Sequence, residues 1–328
     1  MYKKVEEYVK GIISGDRHVL AKAITLVEST CASHRELSKA VINQLVMYSG
    51  NSARIGITGV PGVGKSTFIE SFGMMLVNNN HKLAVLAIDP SSSLSGGSIM
   101  ADKTRMETLA AHPYAFIRPS PSGGNLGGVA RMTRETVIIC EAAGFDTVIV
   151  ETVGVGQSEV AVASMVDFFL VLMLADAGDD LQGIKKGVLE MADALAINKA
   201  DGDNILKANK ARKMYETTLH ILSSANSDWI PPVLICSATT GLGLKEIWNQ
   251  IMLHQRKLSK TGKLTEKRCK QSVEWMWSLI EKGLRDCFLS DSRVKAEFAR
   301  ISESVECGKI SPTVGAEILL SSFCTYVS

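Results

Sequence analysis

An α/β fold, with a mostly parallel central sheet flanked by helices, is predicted from three features of the sequence. From residue 54 to residue 259, short apolar runs alternate with stretches of helix length. Several of those runs, such as Thr147-Val-Ile-Val and Phe168-Phe-Leu-Val-Leu-Met-Leu, are apolar on both alternating sets of positions. Strands of that kind are covered by helices on both faces, as in a parallel sheet. A glycine-rich segment, 59–66, joins the first such strand to the first such helix.

The elements follow in order. Residues 1 to about 50 read as helices, with Leu20, Ile24 and Val27, then Leu37, Val41 and Leu45, at helical spacing. Asp16 and Ser33 are the expected N-caps. Strands are expected at 54–58, 83–89, 114–118, 147–151, 168–174, 194–198 and 233–237. Helices between and after them are expected at 66–79, 103–111, 129–143, 159–163, 184–191, 204–225 and 243–260. After residue 259 the strand signal ends. Residues 255–270 carry seven basic residues and one acid, Glu266. Helical spacing resumes with Val273, Trp277, Ile280, Leu284 and Cys287, and a last helix is expected from Ser311-Pro312, a cap followed by a first-turn proline. The expected organisation is a helical N-terminal arm (1–53), a nucleotide domain (54–259) and a helical C-terminal arm (260–328).

Composition narrows the class of protein. The chain has 328 residues, 46% of them hydrophobic. That length holds one large or two modest domains at roughly 150 residues each, and needs no disulfide or metal staple. The 36 basic and 34 acidic residues leave a net charge of +2, which argues against a chain-wide grip on nucleic acid. The basic run 255–270 reads as a solvated helix face, with nucleic-acid recruitment as its alternative. No apolar run approaches the 18 or so residues of a membrane helix. The charged start, Met1-Tyr-Lys-Lys-Val before Glu6 and Glu7, lacks the apolar core of a signal peptide. The seven cysteines are scattered, odd in number and without a Cys-x-x-Cys pair, so a reducing, cytoplasmic setting is expected.

Gly59-Val60-Pro61-Gly62-Val63-Gly64-Lys65-Ser66-Thr67 contains G-x-x-x-x-G-K-[ST] between a strand and a helix. Its glycines let backbone wrap around phosphate oxygens, and the helix N-terminus adds partial positive charge. Lys65 is expected on the β- and γ-phosphates and the Ser66 hydroxyl on Mg²⁺. This makes the fold that of a P-loop NTPase. The alternative is an ordinary glycine-rich turn. Asn198-Lys199-Ala200-Asp201 follows a further apolar strand, about 130 residues downstream. An N-K-x-D pattern there selects guanine: a carboxylate such as Asp201 accepts the two adjacent N–H donors that guanine offers and adenine lacks, and selection of that kind is strong. The turn Ser237-Ala238 is expected to give a backbone N–H to the guanine oxygen. GTP and GDP are therefore the expected ligands. A charged helix start capped by Asp201 is the alternative.

Mg²⁺ wants hard oxygen ligands. Asp89 and Glu151 end strands, where open α/β sheets bind ligands, and Asp102 lies in the polar loop 91–103. Each could equally be a strand-end cap or turn former. Glu151-Thr-Val-Gly154 reads as E-x-x-G, with Glu151 holding the metal and the Gly154 N–H meeting the γ-phosphate. Gln157 either orients the attacking water or is a solvated loop residue. Lys65, Glu151 and Gln157 form the candidate catalytic set. No arginine finger is evident, so slow intrinsic turnover is expected.

Taken together, the runs Gly59–Thr67, Asp89-Pro-Ser-Ser, Ser95-Gly-Gly-Ser-Ile, Asp102-Lys-Thr-Arg-Met106, Glu151-Thr-Val-Gly-Val-Gly-Gln-Ser-Glu159, Gly178-Asp-Asp-Leu-Gln-Gly-Ile-Lys-Lys-Gly187 and Asn198–Asp201 closely resemble the MeaB/ArgK-like GTPases. These are G-protein chaperones of adenosylcobalamin-dependent methylmalonyl-CoA mutase. The resemblance covers nearly the whole chain. It implies GTP hydrolysis that gates cofactor delivery to that mutase and protects it. It also implies a homodimer built through the helical arms, with no nucleic acid and no membrane as partner. It further implies mobile switches: one containing Asp102, one after Glu151, and a third at 175–186 with Asp179, Gln182 and Lys185 as its polar contacts. Met100-Ala101 stand before Asp102 where relatives commonly show Leu-Gly. Two rival readings share the phosphate loop. A kinase tied to amino-acid transport sits poorly with a guanine-selective site, and a nickel metallochaperone needs clustered Cys and His that this chain lacks. In the C-terminal arm, Trp275 and Leu279 lie off the Val273–Trp277–Ile280 stripe, so that helix has either a second core face or a face for a partner subunit.

Overall fold

The computed structural model describes residues 2–29, 31–89, 106–121, 126–152, 157–175, 186–222 and 229–324. The chain divides into two compact units, Met1–Thr265 and Glu266–Ser328.

Three amphipathic helices open the first unit: α1 (Tyr2–Ile13), α2 (Arg17–Glu28) and α3 (Ala32–Leu45). As expected, Asp16 caps α2, accepting from the His18 and Val19 N–H groups at 2.8 and 3.2 Å. Ser33 does not cap α3. The extended residue before that helix is Cys31, so Ser33 falls inside the first turn, 3.2 Å from the Cys31 thiol.

The sheet is β1 (Ala53–Gly59), β2 (Leu83–Asp89), β3 (Ala115–Pro121), β4 (Thr147–Glu151), β5 (Phe168–Leu174), β6 (Ala194–Asn198) and β7 (Val233–Ile235). Its order is β3-β2-β4-β1-β5-β6-β7, and every pair is parallel. The predicted fold class is correct. β3 runs past the expected end at Arg118 through Pro119 and Pro121. Proline lacks an N–H for the ladder, but β3 is an edge strand, where one side needs no donors. β7 stops short of Ser237, because the chain there turns into the loop that meets Asn198.

Between the strands lie α4 (Lys65–Asn78), α5 (Glu107–Ala111), α6 (Leu126–Ala142), α7 (Gln157–Ala163), α8 (Lys186–Met191), α9 (Asn204–Leu222) and α10 (Leu244–Lys260). β4 and β5 are buried along nearly their whole length, which explains their unbroken apolar sequences. Phe68 and Phe72 of α4 stack at 5.4 Å and pack with Ile55, Ile57, Leu170 and Leu172 into the main core.

Polar contacts fasten α6 to β1 and α2 to β3. Glu141 of α6 takes Arg54 in a two-pronged pair, at 2.7 and 2.8 Å, and also accepts the Ser52 hydroxyl and the Gly50 N–H. Arg17 of α2 donates to the Pro113 and Ala115 carbonyls, at 2.9 and 2.6 Å, where the chain enters β3. Arg118 of β3 pairs back with Glu28 of α2.

In the second unit, Asp291 separates α11 (Lys263–Ser290) from α12 (Ser292–Glu306) and caps the latter. α13 (Pro312–Cys324) begins as expected, with the Ser311 hydroxyl accepting from the Val314 N–H at 3.3 Å. Val294, Ile301 and Leu319 form a small core with Phe288 and Phe323. Gly315 lets α12 and α13 approach, since a Cβ there would sit 2.8 Å from Val305. Val273, Met276, Trp277, Ile280 and Leu284 of α11 are exposed.

Candidate functional site

β1 sits between β4 and β5 and delivers the glycine-rich loop at its carboxyl end. Gly59 is required by close approach, because a Cβ there would lie 2.5 Å from the Leu172 carbonyl of β5. Gly64, at φ +90°, takes the left-handed turn into α4. A glycine in that place leaves the first-turn N–H groups of α4 for an incoming anion.

Lys65 folds back over the loop. Its Nζ donates to the Gly59 carbonyl at 2.8 Å and the Val60 carbonyl at 3.4 Å. Burial pushes the ammonium below its ordinary pKa, and the carboxylates of Glu151 and Glu159 oppose that shift. The Ser66 hydroxyl lies 3.5 Å from Oε1 of Glu151, which is buried at the end of β4 beside Ile57. A hydroxyl and a carboxylate meeting at the head of a phosphate-type helix are hard donors, and they suit Mg²⁺.

The base end is built from β6 and the loop after β7. Asn198 donates from Nδ2 to the Val63 carbonyl at 2.9 Å, and its Oδ1 accepts the Ala238 N–H at 3.2 Å. The Cys236 thiol lies 3.6 Å from the same oxygen, buried, with its pKa pushed up to about 12. Lys199 holds a left-handed backbone, φ +58°, and sends its Nζ to the Gly62 carbonyl at 2.8 Å. Oδ2 of Asp201 accepts the Ser237 hydroxyl at 2.5 Å and the Thr239 hydroxyl at 3.0 Å. Those hydrogen bonds, Ser237 first, hold the Asp201 carboxyl below its ordinary range. The Ala238 N–H already serves Asn198, so a guanine oxygen at this turn shares that donor or displaces the amide.

Lys65, Ser66 and Glu151 are thus brought together, and so are Asn198, Asp201, Ser237 and Ala238, with Lys199 and Asn198 tying the second group to the phosphate loop. Asp89 closes β2, and Gln157 heads α7; their side chains lie outside the described part. Asp102, Gly154, Asp179, Gln182 and Lys185 lie outside the described residues. Among the described residues no group of three His, Cys, Asp or Glu side chains is placed to hold a metal ion.

Four contributors escaped the sequence reading. Thr58 and Thr152 join hydroxyls at 2.6 Å across the ends of β1 and β4, and the Thr58 hydroxyl lies 3.4 Å from the buried Glu159 of α7. Thr239 adds a second hydroxyl to Asp201. Glu159 did carry a signal: an acid in the first turn of the helix that follows E-x-x-G. Thr239 carried none.

The family model described as methylmalonyl Co-A mutase-associated GTPase MeaB matches residues 20–293. The chain belongs to the MeaB family of GTPases. A putative GTPase of Caulobacter vibrioides is 51% identical over 312 residues, 95% of each chain. A mouse mitochondrial protein, named methylmalonic aciduria type A homolog, is 42% identical over 97% of this chain and 79% of its own. A solved structure described as LAO/AO transport system kinase superposes with a TM-score of 0.80 at 40% identity, covering 99% of both chains. The MeaB-family resemblance drawn from the motifs is therefore correct, and the protein is a GTPase.

Proposed function

We propose that this MeaB-family GTPase gates loading of the cobalamin cofactor into methylmalonyl-CoA mutase and protects the loaded enzyme. The observation that carries this reading is the match over residues 20–293 to a family described by its association with that mutase. The name of the mouse relative supports it.

In this reading the loop 59–67 holds the phosphates, with Lys65 turning from its own loop carbonyls onto the β- and γ-oxygens. Asp201 selects guanine, Asn198 and Lys199 brace the loop against it, and the Ser237-Ala238 turn meets the guanine oxygen. Ser66 and Glu151, with Asp89 and Asp102, would hold Mg²⁺, which would supply positive charge to offset the negative charge that develops on the phosphates. Gly154 meets the γ-phosphate, and Gln157 is our candidate for orienting water. Asp179, Gln182 and Lys185 pass the nucleotide state to the mutase. The organisation we propose is the helical arm 1–53, the GTPase domain 54–259 and the dimerisation arm 260–328. The exposed stripe Val273–Trp277–Ile280–Leu284 supports a homodimer through that last arm. No described helix is long and apolar enough to cross a membrane, and in this reading the protein acts in the cytoplasm.

The test is GTP turnover with and without the acyl-CoA mutases of the same organism. Acceleration by a cobalamin-dependent methylmalonyl-CoA mutase is expected. A rate unchanged by every such mutase overturns the reading.

A further inference from the structure

We propose that Thr239 is a positioning residue that stands in for the guanine base: its hydroxyl occupies Asp201 in the empty site and passes to Ser237 when guanine arrives. The proposal rests on the guanine reading of Asp201 and adds a competitor to it.

The argument is a count of lone pairs. An ionised carboxylate offers about four acceptor directions, two on each oxygen. Oδ2 of Asp201 already receives the Ser237 hydroxyl at 2.5 Å and the Thr239 hydroxyl at 3.0 Å. Guanine presents two parallel N–H groups and needs one direction on each oxygen. One hydroxyl must therefore leave Oδ2.

The surroundings say which. Ser237 is fully buried and donates to Oδ2 at 2.5 Å, well inside its 2.9 Å approach to the Thr239 hydroxyl, so its proton stays on the carboxylate. Thr239 is exposed and has two acceptors within reach, Oδ2 of Asp201 at 3.0 Å and Oγ of Ser237 at 2.9 Å. The Ser237 oxygen has room for it: of its two lone pairs, one faces the Thr240 N–H at 3.3 Å and the other can take the Thr239 proton. Rotation of one exposed hydroxyl thus frees Oδ2 and leaves no donor unpaired. Lys199, the cation of the same loop, is turned onto the Gly62 carbonyl, so hydroxyls rather than a cation hold the carboxylate in the empty site. The depressed pKa of Asp201, caused by Ser237 and then Thr239, accords with that.

Such a competitor weakens guanine binding, because the exchange trades a hydrogen bond to a charged acceptor for one to a neutral acceptor. Removing it tightens binding. The experiment titrates GDP into the full-length parent, Thr239→Val, Thr239→Ser and Asp201→Asn, with melting curves to confirm folding. Thr239→Val is expected to bind GDP about threefold more tightly, a modest gain because water takes part of the vacated position. Thr239→Ser, which keeps the hydroxyl, is expected to match the parent. Equal or weaker GDP binding by Thr239→Val overturns the proposal. Asp201→Asn separates the two levels: if it leaves GDP affinity unchanged, the guanine reading itself fails. If it weakens GDP while Thr239→Val does not tighten it, Thr239 alone is misread.

Discussion

At Asp201 a single carboxylate separates guanine from adenine, and its geometry argues for a large effect. Its Oδ2 is held by the buried Ser237 hydroxyl, so the side chain is aimed before the base arrives. Asp201→Asn keeps the shape but replaces an acceptor with an N–H donor, which faces the guanine amine. GTP affinity is expected to fall on the order of a hundredfold, with xanthine nucleotides, which carry a carbonyl there, gaining by comparison. Competition titration with GTP and XTP measures both. This residue was legible in the sequence because four consecutive positions carry the pattern. Its partners were less so. Asn198 reaches Val63 across 135 positions of chain, and no local pattern announces a contact of that span. The cap of α3 was misplaced for a related reason: Cys31 and Ser33 both precede the apolar spacing, and only the backbone angles decide which one stands outside the helix.

Among the elements, β1 was the most legible, because strand, loop and helix are contiguous in its motif. What holds β1 in register was not. Glu141 lies on α6, 87 positions from Arg54, yet it ends the Arg54 guanidinium, the Ser52 hydroxyl and the Gly50 N–H in one buried carboxylate. Glu141→Ala leaves a guanidinium and two donors without that acceptor in a protected place. A loss of about 3–5 kcal/mol is expected, the range for breaking one side of a buried ion pair. Urea unfolding of parent and variant checks it, and a loss under about 1 kcal/mol would mean that water replaces the carboxylate. The extent of β3 was missed because proline normally ends a strand. Only the order of the sheet shows that this one is an edge.

For the whole molecule, the parallel sheet was readable from periodicity alone, whereas assembly depends on surfaces that periodicity only hints at. Helical spacing marked Val273, Trp277, Ile280 and Leu284 as one apolar stripe, but it could not tell core from contact surface. In the chain by itself these side chains are exposed, Trp277 by 57%. If they meet a second copy, Trp277→Glu places a charge in the seam and is expected to shift the protein from dimer to monomer at micromolar concentration. Sedimentation velocity reads the change. A parent that sediments as a monomer, or a variant that stays dimeric, refutes the assignment of that face.

The guanidinium of Arg17 has a consequence for solubility. An edge strand is a template on which another chain can hydrogen-bond, and long exposed edges seed aggregates. Arg17 already takes the first carbonyl of β3, Ala115, and that of Pro113 just before it, and two positions of the strand are prolines with no N–H to offer. The opposite edge, β7, is three residues long. Neither margin of this seven-stranded sheet presents a full ladder to a stranger, so the N-terminal helix that carries Arg17 serves as a guard against fibre growth as well as a structural arm.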